Sequence, residues 1–379
     1  MSLRIVLYLW VGENMFHCCL GQLNLAIKHR VCIFPQRLIE EKTMRIRWLG
    51  KTGLQVSEIC FGTGSFGGLG HFKHTGTLKQ DDADRVVSMA LDAGVNFFNT
   101  AEVYSQGMAE EILGKALGSR RKDVIIISKI SYHIKPGQNT AGLSRKHIVE
   151  ACEASLKRLG TDYIDVYQAH GLDPRTSHEI TISAMNDLVH QGKVRYIGCS
   201  NYAAWNLMKG LAISEKNRWE KFVTLEAMYS LAARWLELEL IPACLDQGVA
   251  VLAYSPLHAG LLTGKYRRGQ PWPQGTRIAT QPDAPEKWPF DKEKLFSIID
   301  ELTKIAQEHQ GSVAQVSLNW VLQKPGICSA IIGVRTPAQL EDNLGAMKWR
   351  LSDDEMARLD KLTEPERGNP YVNRLMRPS

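Results

Sequence analysis

The chain has 379 residues, of which 44% are hydrophobic and 23% charged, a composition that indicates a globular protein and excludes a disordered or fibrous one. Its net charge is +6, and the basic residues are dispersed along the chain, which argues against a nucleic-acid-binding surface. The eight cysteines include no C-x-x-C pair and no metal-ligand spacing, so we expect a reduced, cytoplasmic chain without a bound metal.

Residues 1–43 do not follow the pattern of the rest of the chain. Their apolar run from Ile5 to Val11 is too short to span a membrane, and no later stretch approaches that length. A secretory signal is disfavoured because Arg4 is the sole basic residue before the run and no clear small-residue cleavage site follows. We expect a disordered or nonessential N-terminal extension, a fold that begins at Met44, and no association with a membrane.

From residue 45 the sequence alternates between short apolar runs and longer stretches of helical periodicity. A hairpin is predicted first, over Arg45–Ile59, with turn residues Gly50 and Gly53. Eight strands are predicted next, over Ile59–Thr63, Phe97–Thr100, Val124–Lys129, Ile164–His170, Val194–Ser200, Val223–Glu226, Val249–Ser255 and Cys328–Gly333. The predicted helices are Asp81–Asp92, Ala109–Leu117, Arg145–Leu159, Ile180–His190, Trp205–Ile213, Leu236–Gln247, Lys292–His309 and Pro337–Ala346.

This alternation predicts the fold class. Continuous apolar strands separated by helices are typical of a parallel sheet covered by helices, and eight such units predict a closed α/β barrel of the (β/α)8 or TIM type. A doubly wound sheet is the alternative, although it usually has fewer strands. We assign residues 44–365 to the barrel and residues 366–379 to a C-terminal tail. Long loops are expected at the C-terminal face, above all over residues 266–291, which contain five prolines.

The segment from Gly62 to Gly67 fits the G-x-G-x-x-G pattern and follows a predicted strand. A dinucleotide-binding turn of the Rossmann type would need a helix to start there. A further run of glycines and polar residues follows instead, until about residue 80. We therefore expect a flexible loop at the barrel mouth, beside a cofactor or substrate.

Polar residues end nearly every predicted strand. In chain order they are Asn99 and Thr100, Ser128 and Lys129, Gln168 and His170, Ser200 and Asn201, Glu226, and Tyr254 and Ser255. The carboxyl ends of barrel strands meet at one mouth, which is where the active sites of such barrels lie. Because unpaired buried polar groups cost free energy, this convergence predicts a functional site there.

Several of these strand ends belong to longer motifs. They are Asn99-Thr100-Ala101-Glu102-Val103-Tyr104, Ser128-Lys129, the His170 strand end, Gly198-Cys199-Ser200-Asn201, Tyr254-Ser255-Pro256-Leu257 through Gly264-Lys265-Tyr266, and Gly333-Val334-Arg335-Thr336 through Gln339 and Asn343. In this order and spacing they make residues 44–346 resemble an aldo-keto reductase, of the branch that includes bacterial oxidoreductases and potassium-channel β subunits. The resemblance implies an oxidoreductase that interconverts a carbonyl (aldehyde, ketone or sugar-like) and an alcohol by hydride transfer from a nicotinamide cofactor.

The resemblance also implies catalytic roles. Tyr104 corresponds to the general acid, and Lys129 to the cation that brings its pKa down from about 10. His170 corresponds to the residue that orients the carbonyl, and Asn99 stands where the family has an aspartate paired with the lysine.

The implied cofactor contacts cover the whole dinucleotide. They are Ser200, Asn201 and Glu226 at the carboxamide, Tyr229 stacked on the nicotinamide, Ser255, Leu257 and Lys265 at the pyrophosphate, Arg335, Gln339 and Asn343 at the adenosine end, and Gly62, Thr63, Gly260 and Gly333 as further contacts. A guanidinium suits a 2′-phosphate, so Arg335 favours NADP(H) over NAD(H).

Two positions depart from the family pattern. Asn99 carries no charge, so we expect Lys129 to lose compensation and activity to fall. Glu226 stands where the family usually has glutamine, and an ionised carboxylate there can accept but not donate a hydrogen bond. Its negative charge would favour the oxidised, cationic nicotinamide. We therefore hypothesise a chain that holds NADP+ tightly and reduces carbonyls slowly.

Asn99 also supports an alternative function, a low-turnover nicotinamide-binding regulatory or sensor protein. The substrate is expected to be a small carbonyl or alcohol whose identity depends on the loops at 64–79, 131–143 and 266–291. The sequence leaves the substrate itself, the reaction direction and the oligomeric state open.

Overall fold

The computed structural model describes residues 9–11, 14–16, 44–134, 137–280 and 291–365. Two short antiparallel strands, Leu9–Val11 and Asn14–Phe16, belong to one compact unit, Met1–Glu41. The second unit contains the rest of the described chain. The remaining residues of the predicted extension and the predicted tail at 366–379 lie outside the described ranges, so these assignments stay predictions.

Eight parallel strands form a closed barrel, which confirms the predicted (β/α)8 fold over the doubly wound alternative. Each strand pairs with the next, and the last pairs with the first to close the ring. In chain order they are β1 Ile59–Gly62, β2 Phe97–Asn99, β3 Ile125–Ile130, β4 Ile164–Ala169, β5 Val194–Ser200, β6 Phe222–Met228, β7 Ala250–Tyr254 and β8 Ile327–Ile332.

Helices surround the barrel and cover its outer face. They are α1 Gln80–Asp92, α2 Met108–Leu117, α3 Arg145–Leu159, α4 His178–His190, α5 Ala204–Asn217, α6 Leu240–Gln247, α7 Arg277–Thr280, α8 Lys292–Glu308, α9 Val313–Gln323, α10 Pro337–Gly345 and α11 Asp353–Leu362. Three of these helices, α7, α9 and α11, were not predicted from the sequence. Nearly every residue of α9 is buried, so this helix has no polar face to mark its periodicity.

The predicted N-terminal hairpin is present, as Ile46–Trp48 paired with Gln55–Ser57. Its turn inserts Leu49, which is fully buried, into the apolar cluster inside the barrel. The Arg47 guanidinium donates to the carbonyl of Ile327, the first residue of β8. The hairpin therefore closes the amino-terminal end of the barrel and leaves the carboxyl-terminal end open.

The loop after β1 lies at that open end, as predicted for the glycine-rich segment. No α-helix starts between Gly62 and Gln80, so the segment is not a Rossmann turn. The loop is fastened to the barrel, because Phe66 pairs with Leu78 and the Ser105 hydroxyl both donates to the Phe66 carbonyl and accepts from the Gly68 amide. Across the part of the chain that the structure describes, no helix is long and apolar enough to cross a membrane.

Candidate active site

A cavity of about 610 Å³ opens at the carboxyl-terminal mouth of the barrel. Its walls come from strand ends and the loops that follow them. Most of the side chains that the sequence analysis selected line it: Gly62, Asn99, Tyr104, His170, Ser200, Asn201, Glu226, Ser255, Leu257, Gly260, Lys265, Gly333, Arg335, Gln339 and Asn343. The structure thus brings these residues together, whereas Thr63, Lys129 and Tyr229 do not line the cavity.

Lys129 and Tyr104 form the centre of the site. Tyr104 follows β2 and faces the cavity, while Lys129 on β3 is fully buried behind it. The Lys129 Nζ lies 3.4 Å from the Tyr104 hydroxyl and donates to the Thr100 carbonyl at 2.9 Å. Burial raises the pKa of the Tyr104 hydroxyl, and the Lys129 ammonium opposes that rise. The pair can release a proton into the cavity and stabilise the phenolate that remains.

The expectation that Lys129 lacks a negative partner is wrong. Its Nζ lies 3.5 Å from Oε1 of Glu226, which lies on β6, across the barrel. Asn99 bridges the two residues, because its Oδ1 accepts from Lys129 at 2.6 Å and its Nδ2 donates to Glu226 Oε2 at 2.7 Å. The two departures from the family pattern are therefore in direct contact.

The charges of this buried pair depend on each other. Burial alone would lower the pKa of Lys129, but the Glu226 carboxylate and the Tyr104 side chain together hold it above its ordinary value. Burial also raises the pKa of Glu226, against the opposing effects of Lys129 and of the Asn99 amide. A protonated Lys129 is therefore favoured in this site, contrary to the effect expected from Asn99 alone.

His170 stands beside Tyr104 at the end of β4, with 5.8 Å between the two ring centroids. Burial, reinforced by the charge of Lys129, holds the pKa of the His170 imidazole well below its usual range. The ring is therefore neutral near pH 7 and can donate one hydrogen bond into the cavity. Its Nδ1 is buried without a hydrogen-bond partner among the described residues.

The prediction for Tyr229 needs correction. Its ring is fully buried, stacks on Trp320 of α9 at 5.4 Å between centroids, and its hydroxyl donates to Glu237 at 2.6 Å. The helix that holds this ring was missing from the sequence analysis. The aromatic ring on the cavity wall is instead Tyr254, whose hydroxyl donates to Asn201 Oδ1 at 2.9 Å.

The prediction for Thr63 is also not met, because this residue is fully buried beneath the cavity wall. Its hydroxyl has no hydrogen-bond partner within the described ranges. Its neighbour Gly62 does line the cavity, and a Cβ there would lie 2.9 Å from Cγ2 of Ile331. Close packing between β1 and β8 is thus sufficient reason for that glycine.

One end of the cavity is cationic. Lys265 and Arg335 line it together, and burial and the charge of Arg335 lower the pKa of Lys265. The Arg335 amide donates to Gln339 Oε1 at 2.8 Å, just before α10 begins at Pro337. Two cations that line one cavity, one of them just before a helix amino terminus, form a site for anions.

The backbone at this end is adapted to close approach. A Cβ on Gly260 would lie 2.8 Å from the Lys265 Nζ, and Gly260 has a φ of 89°. Ser255 adopts a φ of 51°, which is uncommon for a residue other than glycine and often occurs at functional sites. The cationic end and this backbone fit the phosphates of a dinucleotide.

Some cavity residues were not selected from the sequence. The main ones are Phe72, His74 and Arg277. Tyr254 was expected at the barrel mouth, although the stacking role was assigned to Tyr229. Arg277 lies in a proline-rich stretch without periodicity, so no sequence pattern marks it.

Comparison with known proteins gives consistent matches over the barrel. The model of the Aldo/keto reductase family matches residues 58–364. The chain is 39% identical over 327 residues to an uncharacterized oxidoreductase of Bacillus subtilis, covering 83% of this chain and 94% of that protein. It is 33% identical over 356 residues to versiconal hemiacetal acetate reductase of Aspergillus parasiticus, covering 87% and 98%. It is 35% identical over 316 residues to a probable voltage-gated potassium channel subunit beta of Arabidopsis thaliana, covering 80% and 91%.

Proposed function

The chain belongs to the aldo/keto reductase family, and we propose that it is an NADP(H)-dependent oxidoreductase that interconverts a small carbonyl compound and its alcohol. The observation that carries the proposal is the Tyr104 hydroxyl, which faces the cavity with the Lys129 Nζ 3.4 Å behind it and His170 beside it. A proton donor, a cation and a neutral hydrogen-bond donor at one point are what the reduction of a carbonyl requires.

In the proposed reaction Tyr104 is the general acid. Its hydroxyl gives a proton to the carbonyl oxygen as the carbonyl carbon accepts a hydride, so the carbonyl oxygen becomes the hydroxyl of the alcohol. The Lys129 ammonium stabilises the phenolate on Tyr104 until a proton returns from solvent. The neutral imidazole of His170 orients the carbonyl oxygen through a hydrogen bond. Run in reverse, the same groups oxidise the alcohol.

A nicotinamide dinucleotide, when bound, supplies or accepts the hydride. The cationic end supports this cofactor, with Lys265 and Ser255 at its pyrophosphate and Arg335 at a 2′-phosphate, which favours NADP(H). At the other end we assign Ser200 and Asn201 to the carboxamide and Tyr254 to the face of the ring. Gly260, Gly333, Leu257, Gln339 and Asn343 complete the proposed contacts.

The substrate is proposed to be an aromatic carbonyl compound. Phe72 and Tyr132 place rings 5.0 Å from those of Tyr104 and His170, respectively, so aromatic surfaces surround the proposed proton donor. A cytoplasmic location is proposed as well, because the cysteines within the described ranges are free and buried, as in a reducing compartment.

NADPH oxidation with a panel of aromatic aldehydes tests the proposal. We expect turnover by the parent and a loss of at least about 1,000-fold in Tyr104→Phe, because the proton donor is removed while the ring remains. Tyr132→Phe is the matched control and should retain turnover within about tenfold. Tight NADPH binding without turnover on any member of the panel would contradict the proposal.

A second candidate function is a low-turnover sensor of the nicotinamide redox state. It is favoured by the 35% identity to the probable channel β subunit, and not by Asn99, since Lys129 contacts Glu226. A parent protein that binds NADPH but is silent on the panel would support this candidate.

A further inference from the structure

Asn99, Lys129 and Glu226 form a closed polar cluster inside the barrel. β2 and β6 lie four strands apart in the ring of eight, so the 2.7 Å hydrogen bond between Asn99 and Glu226 crosses the barrel. The three residues are 1%, 0% and 3% exposed. Glu226 is the one carboxylate among the described residues that lies within 4.0 Å of the Lys129 Nζ.

The amide of Asn99 has one orientation that suits this cluster. Its oxygen must face Lys129, which has only donors, and its nitrogen must face Glu226, whose ionised carboxylate has only acceptors. Asn99 is thus a neutral bridge between Lys129 and Glu226. The negative charge of the cluster lies on β6, across the barrel from β2, the strand that precedes Tyr104.

We propose that Glu226 is the counterion of Lys129 and thereby a positioning residue for the Tyr104 proton donor. Asn99 connects Lys129 and Glu226 through its two hydrogen bonds. This inference rests on the proposed function and deepens it. An amide at position 99 and a carboxylate at position 226 are, by this account, interchangeable with a carboxylate at 99 and an amide at 226, since the atoms and the net charge of the cluster stay the same.

Other titratable groups face the cluster from the surrounding elements. They are Cys60 on β1, Tyr104 after β2, His170 after β4 and Tyr254 on β7. None of these is a carboxylate, so none can take over the role of Glu226. Without Glu226, burial would dominate and lower the pKa of Lys129, and Tyr104 would lose the cation that opposes the rise of its own pKa.

The test is a cycle of isosteric variants, namely Glu226→Gln, Asn99→Asp and the double variant Asn99→Asp/Glu226→Gln. Glu150→Gln is the matched control, because Glu150 is exposed on the surface of α3, where it pairs with Lys146, and takes no part in the cluster. Each protein is assayed for NADPH oxidation with benzaldehyde across pH. Each is also unfolded with urea across pH in the absence of cofactor. This measurement does not depend on catalytic turnover.

We expect Glu226→Gln to lose at least about 100-fold in kcat at pH 7, and the double variant to recover to within about tenfold of the parent. In Glu226→Gln the folded chain holds Lys129 neutral while the unfolded chain protonates it. Unfolding should then take up about one proton more than in the parent, so stability rises with pH, and the double variant should abolish this slope. Asn99→Asp places two carboxylates in contact and should gain a slope of opposite sign.

The outcomes separate the two proposals. If the parent is silent on every carbonyl, the proposed function fails while the unfolding slopes still decide on the counterion. If the parent turns over but Glu226→Gln unfolds with the same pH dependence, or the double variant is no better than Glu226→Gln, the counterion role is overturned. If Glu226→Gln does not fold, a folded and active double variant supports the exchange, and a double variant that also fails to fold overturns it.

Discussion

The position of the negative charge beside Lys129 depends on residues that lie far apart along the chain. Asn99 and Glu226 are separated by 127 residues, yet their side chains are 2.7 Å apart. Each looked like a separate defect in the sequence, because one removed a charge and the other added one. The sequence revealed which residue types reach the barrel mouth. The contact between Asn99 and Glu226 could be recognised only in the closed ring of strands.

Tyr229 and Tyr254 show the same limit of prediction from the sequence. Tyr229 directly follows β6 and Tyr254 is the last residue of β7, and nothing in their local sequence distinguishes a cavity ring from a core ring. The choice is made by Trp320, which stacks on Tyr229 and leaves Tyr254 at the cavity.

Arg335 provides a prediction at this scale. Arg335→Gln should raise the KM for NADPH by about 10- to 100-fold and leave the KM for NADH unchanged, because only the 2′-phosphate loses a charged hydrogen bond. Steady-state kinetics with both cofactors measures this. Arg145→Gln, in an exposed ion pair with Asp187 on the helix layer, is the control and should change neither value. Equal losses with NADPH and NADH would exclude recognition of the 2′-phosphate by Arg335.

The barrel strands were the elements that the sequence predicted best. All eight strands were found with ends displaced by no more than two residues, since each is a short apolar run bounded by polar residues. The helix α9 was missed because burial on nearly every side removes the polar face that reveals a helix. The same helix supplies Trp320, so one missing element also caused the error at Tyr229.

The packing of α9 can be tested by removing its largest buried side chain. Trp320 is fully buried and stacks on Tyr229, so Trp320→Ala should lower the free energy of unfolding by about 3–5 kcal/mol. Trp205→Ala is the control, because Trp205 is 63% exposed and should lose less than about 1 kcal/mol. Chemical denaturation measures both, and similar losses in the two variants would contradict the position of α9.

The molecule as a whole separates stability from chemistry along the barrel. The hairpin and its apolar turn close one end, while strained strand ends, buried ionisable groups and a cationic rim surround the other. This separation is typical of enzymes built on such barrels. This separation could be predicted from the sequence because the polar residues occur at strand ends. The depth of the cavity and the contacts within it could not be predicted in this way.

Buried carboxyls at the open end should make stability depend on pH. Burial raises the pKa of Glu102 to about 8. The folded chain therefore binds this proton more tightly than the unfolded chain, so the stabilisation is complete below pH 4.5 and is lost as the pH rises through about 8. Relative to Glu102→Gln, the parent should lose on the order of a few kcal/mol of unfolding free energy between pH 5 and pH 9. Parallel stability curves for the two proteins would show that Glu102 ionises normally.

The central claim is that this cavity transfers hydride between a nicotinamide and a carbonyl carbon with Tyr104 as the proton donor. Its most direct test is mass spectrometry of the alcohol formed from an aromatic aldehyde and NADPH deuterated at C4 on the transferred face. We predict one deuterium on the carbinol carbon with the parent protein and no labelled alcohol above background with Tyr104→Phe. An unlabelled alcohol from the parent, or equal labelling by the two proteins, would contradict the account.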